Sequence, residues 1–343
     1  MIDSSASLQS AANRPLHPRR ILLLGATGTI GRATLRALLQ DGHAVVCLAR
    51  QRAGGSPATD KRIDPPAGVT WRFCDVTDPQ SVMRDGFCGE RFDAVLSCMA
   101  SRTGAPQDAW AIDDLAHRHM LTAAQAAGVS HFVLLSAICV QKPKLAFQHA
   151  KLAFERALIE SGLRYSIVRP TAYFKSLSGQ VERVRAGKPY LVFGDGMLTA
   201  CKPIGDDDLG RYLVDCLYDE SRHNRILPIG GPGPAITPRQ QGQHLFALLG
   251  RAPRFRRVPV ALLDAVVWAL GMLGRFSPAL AGKAELARIG RYYATESMLV
   301  LDPETGRYDE AATPSTGTQT LFDYYARLIN GEASAERGDH AVF

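Results

Sequence analysis

The apolar positions of this 343-residue chain fall into short runs divided by longer stretches of helical spacing. RILLLG (20–25), HAVVCLAR (43–50), VTWRFCDV (69–76), FDAVLSCMA (92–100), HFVLLSA (131–137) and YSIVRP (165–170) are apolar and short, and they read as strands. RATLRALLQDG (32–42), DDLAHRHMLTAAQAAG (113–128) and AFQHAKLAFE (146–155) place apolar residues three and four apart, the spacing of helices that cover a sheet. Strands alternating with helices predict an α/β fold with a mostly parallel sheet buried on both faces. Right-handed crossovers then put ligands at the carboxyl ends of the strands.

Near residue 175 the alternation loosens, and GKPYLVFGDG, PIGDDDLGRYLVDCLYD and RILPIGGPGPAITPRQQGQHLFALLG suggest further strands and helices building a second lobe. The expected organisation is a leader at 1–18, a nucleotide-binding domain at 19–175, a smaller substrate-binding lobe at 176–330 whose chain returns to the core, and a frayed polar tail at 331–343. The leader lacks the apolar core of a signal peptide. VPVALLDAVVWALGMLG (258–274) is short of the roughly 20 apolar residues that span a bilayer, and Asp264 interrupts it. Leu262, Leu263, Val266, Val267, Leu270 and Leu273 give it a broad apolar face, which predicts a buried helix or one wall of an apolar pocket, with peripheral membrane contact as the alternative.

Composition narrows the chemistry. The 46% hydrophobic content supports one substantial core. Seven cysteines without a CxxC pair or a Cys/His cluster predict reduced thiols, a cytoplasmic setting and no metal site. The net charge of +7 is modest and forms no continuous stripe interleaved with aromatics, so no nucleic-acid partner is expected.

The candidate chemistry begins at GATGTIG. Gly25, Gly28 and Gly31 follow the first strand and open the first helix. Dinucleotide binding needs glycines there for a tight turn, for close approach to the pyrophosphate and for close packing of helix on strand. The helix N-terminus adds free N–H groups and its positive dipole end. Thr27 and Thr29 add hydroxyls, and Ile30 a backbone N–H. These features predict a Rossmann-like, doubly wound sheet. The second strand ends in LARQR, with Arg50 and Arg52 where an acid would select NAD; guanidinium forks suit the 2′-phosphate, so the cofactor is expected to be NADPH. Asp75 is placed to accept from the adenine amino group or to cap the next helix, with Val76 beside it. Met99, Ala100 and Ser101 after the fourth strand, and Pro170 at the end of the sixth, should line the cofactor.

GATGTIG, FCDV, the LLSA strand and the helix carrying Lys151 resemble the atypical, extended short-chain dehydrogenases. The second half is more specific: the run from PTAYFKSLSGQ to YLVDCL (170–217), LPIGGPGPAITPRQQG (227–242) and the run from YYATESMLVLD to LFDYYARL (292–328) resemble the NADPH-dependent 8-vinyl reductases of (bacterio)chlorophyll synthesis. The likeness covers roughly residues 19–330. It implies reduction of the C8 vinyl group of divinyl chlorophyllide a, or divinyl protochlorophyllide a, to ethyl. It also implies a cytoplasmic protein of a photosynthetic bacterium, seated peripherally on its membrane if 258–274 is a foot. An NADP-binding regulatory or assembly protein of the NmrA-like kind, without turnover, is the alternative.

In the related dehydrogenases a Tyr stands four residues before the active-site Lys; here Lys151 is present and the earlier position is Phe147. The resemblance gives Lys151 the nicotinamide ribose and Ser136 the usual catalytic serine position. Tyr173 or Lys175, in RPTAYFKS, is expected to supply the proton, or Lys151 to relay it; Lys175 or Arg183 is expected to pair with the pigment's propionate.

Overall fold

The computed structural model of the protein describes residues 18–50 and 68–333. Its elements run β1 (Arg20–Leu24), α1 (Thr29–Gln40), β2 (Ala44–Ala49), β3 (Val69–Phe73), β4 (Ala94–Ser97), α2 (His117–Ala126), β5 (His131–Leu135), α3 (Ala146–Glu160) and β6 (Arg164–Pro170) through the first half. The second half adds β7 (Tyr190–Phe193), α4 (Asp206–Asp215), β8 (Arg225–Ile229), α5 (Pro238–Leu248), β9 (Phe255–Val258), α6 (Val260–Leu273), α7 (Pro278–Thr295) and α8 (Leu321–Ile329).

Seven strands form one sheet in the order β3-β2-β1-β4-β5-β6-β8, and every neighbouring pair is parallel. This is a Rossmann-like doubly wound fold, as the alternating pattern predicts. Side chains alternate across the strands, so each strand serves both faces. Leu22, Leu24, Val46, Val95, Phe132 and Ile167 pack against Met120 of α2 and Phe154 and Leu158 of α3. Ile21, Leu23, Val45, Leu96, Val133 and Val168 meet Leu35 and Leu38 of α1 and Leu209 and Leu213 of α4 on the other side. Each such fully buried side chain stabilises the fold by about 2 kcal/mol.

The crossing of α1 and α4 depends on Gly210. A Cβ there would stand 2.7 Å from the carbonyl carbon of Ala33, so the two helices approach to backbone contact. At the sheet's centre the order reverses between β1 and β4, and Leu24 is in register with Ser97. The chains leaving these strands therefore open the cleft where ligands of such sheets sit.

The later chain contributes β8 to the main sheet and pairs β7 with β9 in a separate two-stranded sheet. Thr237 caps α5 and Thr320 caps α8, each in a reciprocal capping box, with Gln240 and Asp323 respectively. A third apolar cluster joins Tyr190, Phe246, Tyr292 and Tyr325 to Ile138, Cys139 and Leu145 from the turn after β5. Tyr325 closes it by donating to the Leu177 carbonyl at 2.7 Å. All seven cysteines are free thiols.

One expectation fails. The stretch 258–274 does not form a buried helix: α6 has no buried residue, Trp268 is 70% exposed, and Phe276 beyond it is 87% exposed. Its apolar residues run all round the helix, and the hairpin with α7 covers only one side of it. A Cβ at Gly274 would lie 3.0 Å from the Ala281 Cα, which keeps the turn tight, and Arg291 ties α7 to Asp264 of α6.

Candidate active site

The nucleotide loop is built by close backbone contact. Gly25 has φ +73°, a left-handed conformation that favours glycine, and a Cβ on it would meet the Cys98 carbonyl oxygen at 2.6 Å. The Gly28 N–H donates to the Gly25 carbonyl at 3.0 Å. A Cβ on Gly31 would fall 2.0 Å from that same oxygen. The loop thus folds hard against the start of α1, and the first N–H groups of that helix face the cleft without intrahelical partners. A cradle that side chains would fill suits a pyrophosphate. Ile30 buries its side chain in the core, so its N–H is what it offers the cleft. Thr27 lends its carbonyl to Arg32 at 2.9 Å.

Lys175 reaches this loop. Its Nζ donates to Thr29 Oγ1 at 3.1 Å, which sets an ammonium beside the phosphate loop. Nearby, Asp206 keeps Oδ1 without a hydrogen-bond partner. Burial, and after it Asp207, raises the pKa of that carboxyl, so it repels a bound phosphate less than an exposed carboxylate would. Arg50 is exposed at the end of β2, within electrostatic reach of Asp75 and Asp108. Arg52 lies outside the described residues. Asp75 Oδ1 accepts from the Thr77 N–H at 2.9 Å and the Thr77 hydroxyl at 2.6 Å; these bonds, with Arg50 assisting, hold its pKa down. The helix cap that Asp75 was an alternative for belongs to Asp78, which accepts from the Gln80 N–H. Val76 is buried in the core, and Met99 is half-buried with Ala100 exposed beyond it.

Lys151 is held by a carboxylate that sequence reasoning missed. Its Nζ donates to Asp113 Oδ1 at 3.0 Å, with the lysine side chain 11% exposed and the aspartate 0%. Asp113 also accepts from the Ser101 N–H at 3.2 Å and the Ser101 hydroxyl at 2.6 Å, tying the lysine to the loop after β4. It stands in a wide π-helical turn, Trp110–Ala116, a local geometry often found at functional sites. Just beyond, His117 Nδ1 donates to the Ile112 carbonyl at 2.8 Å, and Nε2 accepts from Ser97 Oγ at 2.8 Å. Burial first, and the Lys151 charge second, lower the His117 pKa to about 4, so the ring is neutral.

Ser136 is not brought to this group. Its hydroxyl donates to Glu155 of α3, which pairs with Arg169 of β6, so it is committed to that buried pair. Phe147 packs half-buried in the third cluster with Cys139 and Tyr292. Tyr173 is half-buried against the cluster that includes Ala26 and Ile30, and burial raises the pKa of its phenol. Pro170 closes β6 in register with Ile229 of β8. Arg183 donates to the Pro189 carbonyl at 2.8 Å within the second half of the chain.

The Lys151–Asp113 pair gives a direct prediction. Asp113→Asn removes the compensating charge from a nearly buried ammonium, and the cost is expected to be about 2 kcal/mol of stability. NADPH affinity should fall about tenfold as the lysine loses its fixed position. Denaturant unfolding and NADPH fluorescence titration measure the two effects, and unchanged affinity would separate Asp113 from the cofactor.

Comparison with known proteins places the chain in a family. The family model for NAD(P)H-binding proteins matches residues 25–220. The chain is 49% identical over 337 residues to the chloroplastic divinyl chlorophyllide a 8-vinyl-reductase of Zea mays, covering 96% of this chain and 84% of that one. It is 46% identical to the corresponding Arabidopsis thaliana protein, covering 98% and 84%. Among solved structures, the NADPH-dependent quinone oxidoreductase QOR2 of Escherichia coli, complexed with NADPH, superposes with a TM-score of 0.66 at 19% identity, covering 90% of this chain and 100% of that one; that likeness is one of fold. The identity to the plant proteins extends through the second half as well as the nucleotide core, and the chain belongs to the divinyl chlorophyllide a 8-vinyl-reductase family.

Proposed function

We propose that this protein reduces the C8 vinyl group of 3,8-divinyl chlorophyllide a, or of divinyl protochlorophyllide a, to ethyl. The observation that carries the reading is a chain about half identical to vinyl reductases, in which Lys151 is fixed by Asp113 and Phe147 stands where the related dehydrogenases have a phenol. NADPH bound across the carboxyl ends of β1, β2 and β4 supplies the hydride. The residues do the rest. N–H groups of Gly28 to Gly31 and the Lys175 ammonium receive the pyrophosphate. Arg50, with Arg52, takes the 2′-phosphate. Lys151, fixed by Asp113, donates to the nicotinamide ribose. Met99, Ala100 and Pro170 line the path, and Asp75 faces the adenine.

Phe147 fits the bond being reduced. A carbonyl develops alkoxide charge on one oxygen and needs an acid beside it. A vinyl conjugated to a macrocycle spreads that charge over the ring, so the proton can arrive from another direction, and orientation against the nicotinamide face carries more of the rate. Incubation with NADPH and 3,8-divinyl chlorophyllide a should yield a pigment heavier by two hydrogens with a blue-shifted Soret band. NADH should be poorer by about tenfold or more, because it lacks the phosphate that the arginines read. No conversion of dissolved pigment would favour a nucleotide-binding regulator or assembly protein instead.

The exposed hairpin of α6 and α7 suits a peripheral seat on an anionic photosynthetic membrane, facing the cytoplasm in a bacterial cell. Leu262, Trp268, Leu273 and Phe276 are exposed beside the exposed Arg254, Arg256, Arg257 and Arg275. Among the described residues no helix is long and apolar enough to cross a membrane. Trp268→Asp combined with Phe276→Asp should cut flotation with phosphatidylglycerol liposomes about tenfold while NADPH binding persists; undiminished flotation would remove the hairpin from membrane contact.

A further inference from the structure

The phenol absent at position 147 has a counterpart elsewhere in the chain. Helix α7 returns across the carboxyl edge of the sheet, and Ile289 on it comes so close to Gly104, in the loop after β4, that a Cβ there would stand 2.7 Å from the Ile289 Cδ1. Tyr292 pins the helix to the turn after β5. Its hydroxyl donates to the carbonyls of Cys139 and Lys142, at 2.9 and 3.0 Å, and the residue is 3% exposed. Tyr293, its neighbour, is 38% exposed, and its ring meets that of Tyr292 edge-on at 5.7 Å. Among the described residues the partner of its hydroxyl is the Cys139 thiol, at a long 3.8 Å. That thiol lies within electrostatic reach of Lys151, and the Tyr293 hydroxyl within reach of Tyr173. Phe147 packs in the same cluster as Cys139 and Tyr292. Tyr293 therefore brings a weakly bound hydroxyl to Cys139, which packs in the cluster that holds Phe147 and lies within reach of Lys151.

We propose that Tyr293 is the proton donor of the vinyl reduction, supplied by α7 in place of the phenol missing from α3. The proposal rests on the vinyl-reductase reading. A hydride equivalent from NADPH forms a C–H bond at the terminal vinyl carbon, and the vinyl π bond breaks with its electron pair passing into the macrocycle. The Tyr293 O–H bond then breaks, its proton bonds to the inner vinyl carbon, and the pair returns from the ring to make that bond. The phenolate recovers a proton from water at its exposed edge. The sum is one vinyl, one NADPH and one proton giving one ethyl and NADP⁺. Burial raises the Tyr293 pKa well above its usual value, so the phenol keeps its proton until a strong base forms beside it. The Cys139 thiol, itself raised by burial, stays neutral and does not compete for that proton. Tyr173 is less suited, because it packs against the other cluster, the one formed with α1 and α4.

Tyr293→Phe should lower kcat about a hundredfold, within the range typical of a positioned acid, while NADPH affinity by fluorescence and pigment affinity by absorbance titration stay within about twofold. Tyr293→His, which restores a donor, should recover part of the loss. Turnover by Tyr293→Phe equal to the wild type overturns the donor role and leaves the vinyl-reductase reading standing. Loss of NADPH binding together with turnover overturns it in favour of a structural role. A larger loss in Tyr173→Phe than in Tyr293→Phe hands the proton to Tyr173. Absence of turnover in the wild type itself removes both readings.

Discussion

The carbonyl group of Gly25 and the Cα of Ala26 occupy space that any side chain on Gly31 would need. The rest of the carboxyl edge is arranged around that contact. It sets the start of α1 against the exit of β1, and Gly25 in turn lies against the Cys98 carbonyl where β4 ends. Inserting even a methyl into such contacts costs on the order of 1–3 kcal/mol and shifts the backbone that must meet the phosphates. Lys175 reaches the same loop through Thr29, and Ser101, three residues past Cys98, reaches Lys151 through Asp113. One close approach thereby links the glycine loop to Lys151.

Charge is placed sparingly there. Lys151 is nearly buried, and its cost is met by a carboxylate that also takes two donors from Ser101. His117 beside it is kept neutral by burial and by the lysine's own field. The ammonium is therefore the fixed positive group at that point, and its donors are directed by Asp113. The second half of the chain extends one apolar cluster from Tyr325 and Phe246 through Tyr292 to Phe147. Phe147 thus has a packing role within that cluster.

The sheet, its helices and the glycine loop were legible because period and local turn chemistry fix them within about 30 residues of chain, the length of a βαβ unit. The family was legible in the second half, where long motifs lie outside the shared nucleotide core. What escaped reading depends on distance or orientation. Lys175 meets Thr29 across a separation of 146 residues. Asp113 opens a run of helical spacing, and the π-helical turn that places it is invisible in that spacing. Ser136 follows a strand as a catalytic serine does, yet its hydroxyl bonds Glu155, an acid on the inner face of α3. The stretch at 258–274 reads alike whether protein or another apolar phase covers it, because its residues are apolar all round.

The central claim is that a hydride from NADPH and a proton from an exchangeable group reduce one vinyl side chain. NADPH carrying deuterium at C4, prepared separately on each face, should transfer one deuterium to the terminal carbon of the new ethyl group from one face only. In deuterated water with unlabelled NADPH, one deuterium should appear at the carbon attached to the ring. Transfer of label from neither face of NADPH, with both new hydrogens drawn from solvent, would contradict the account.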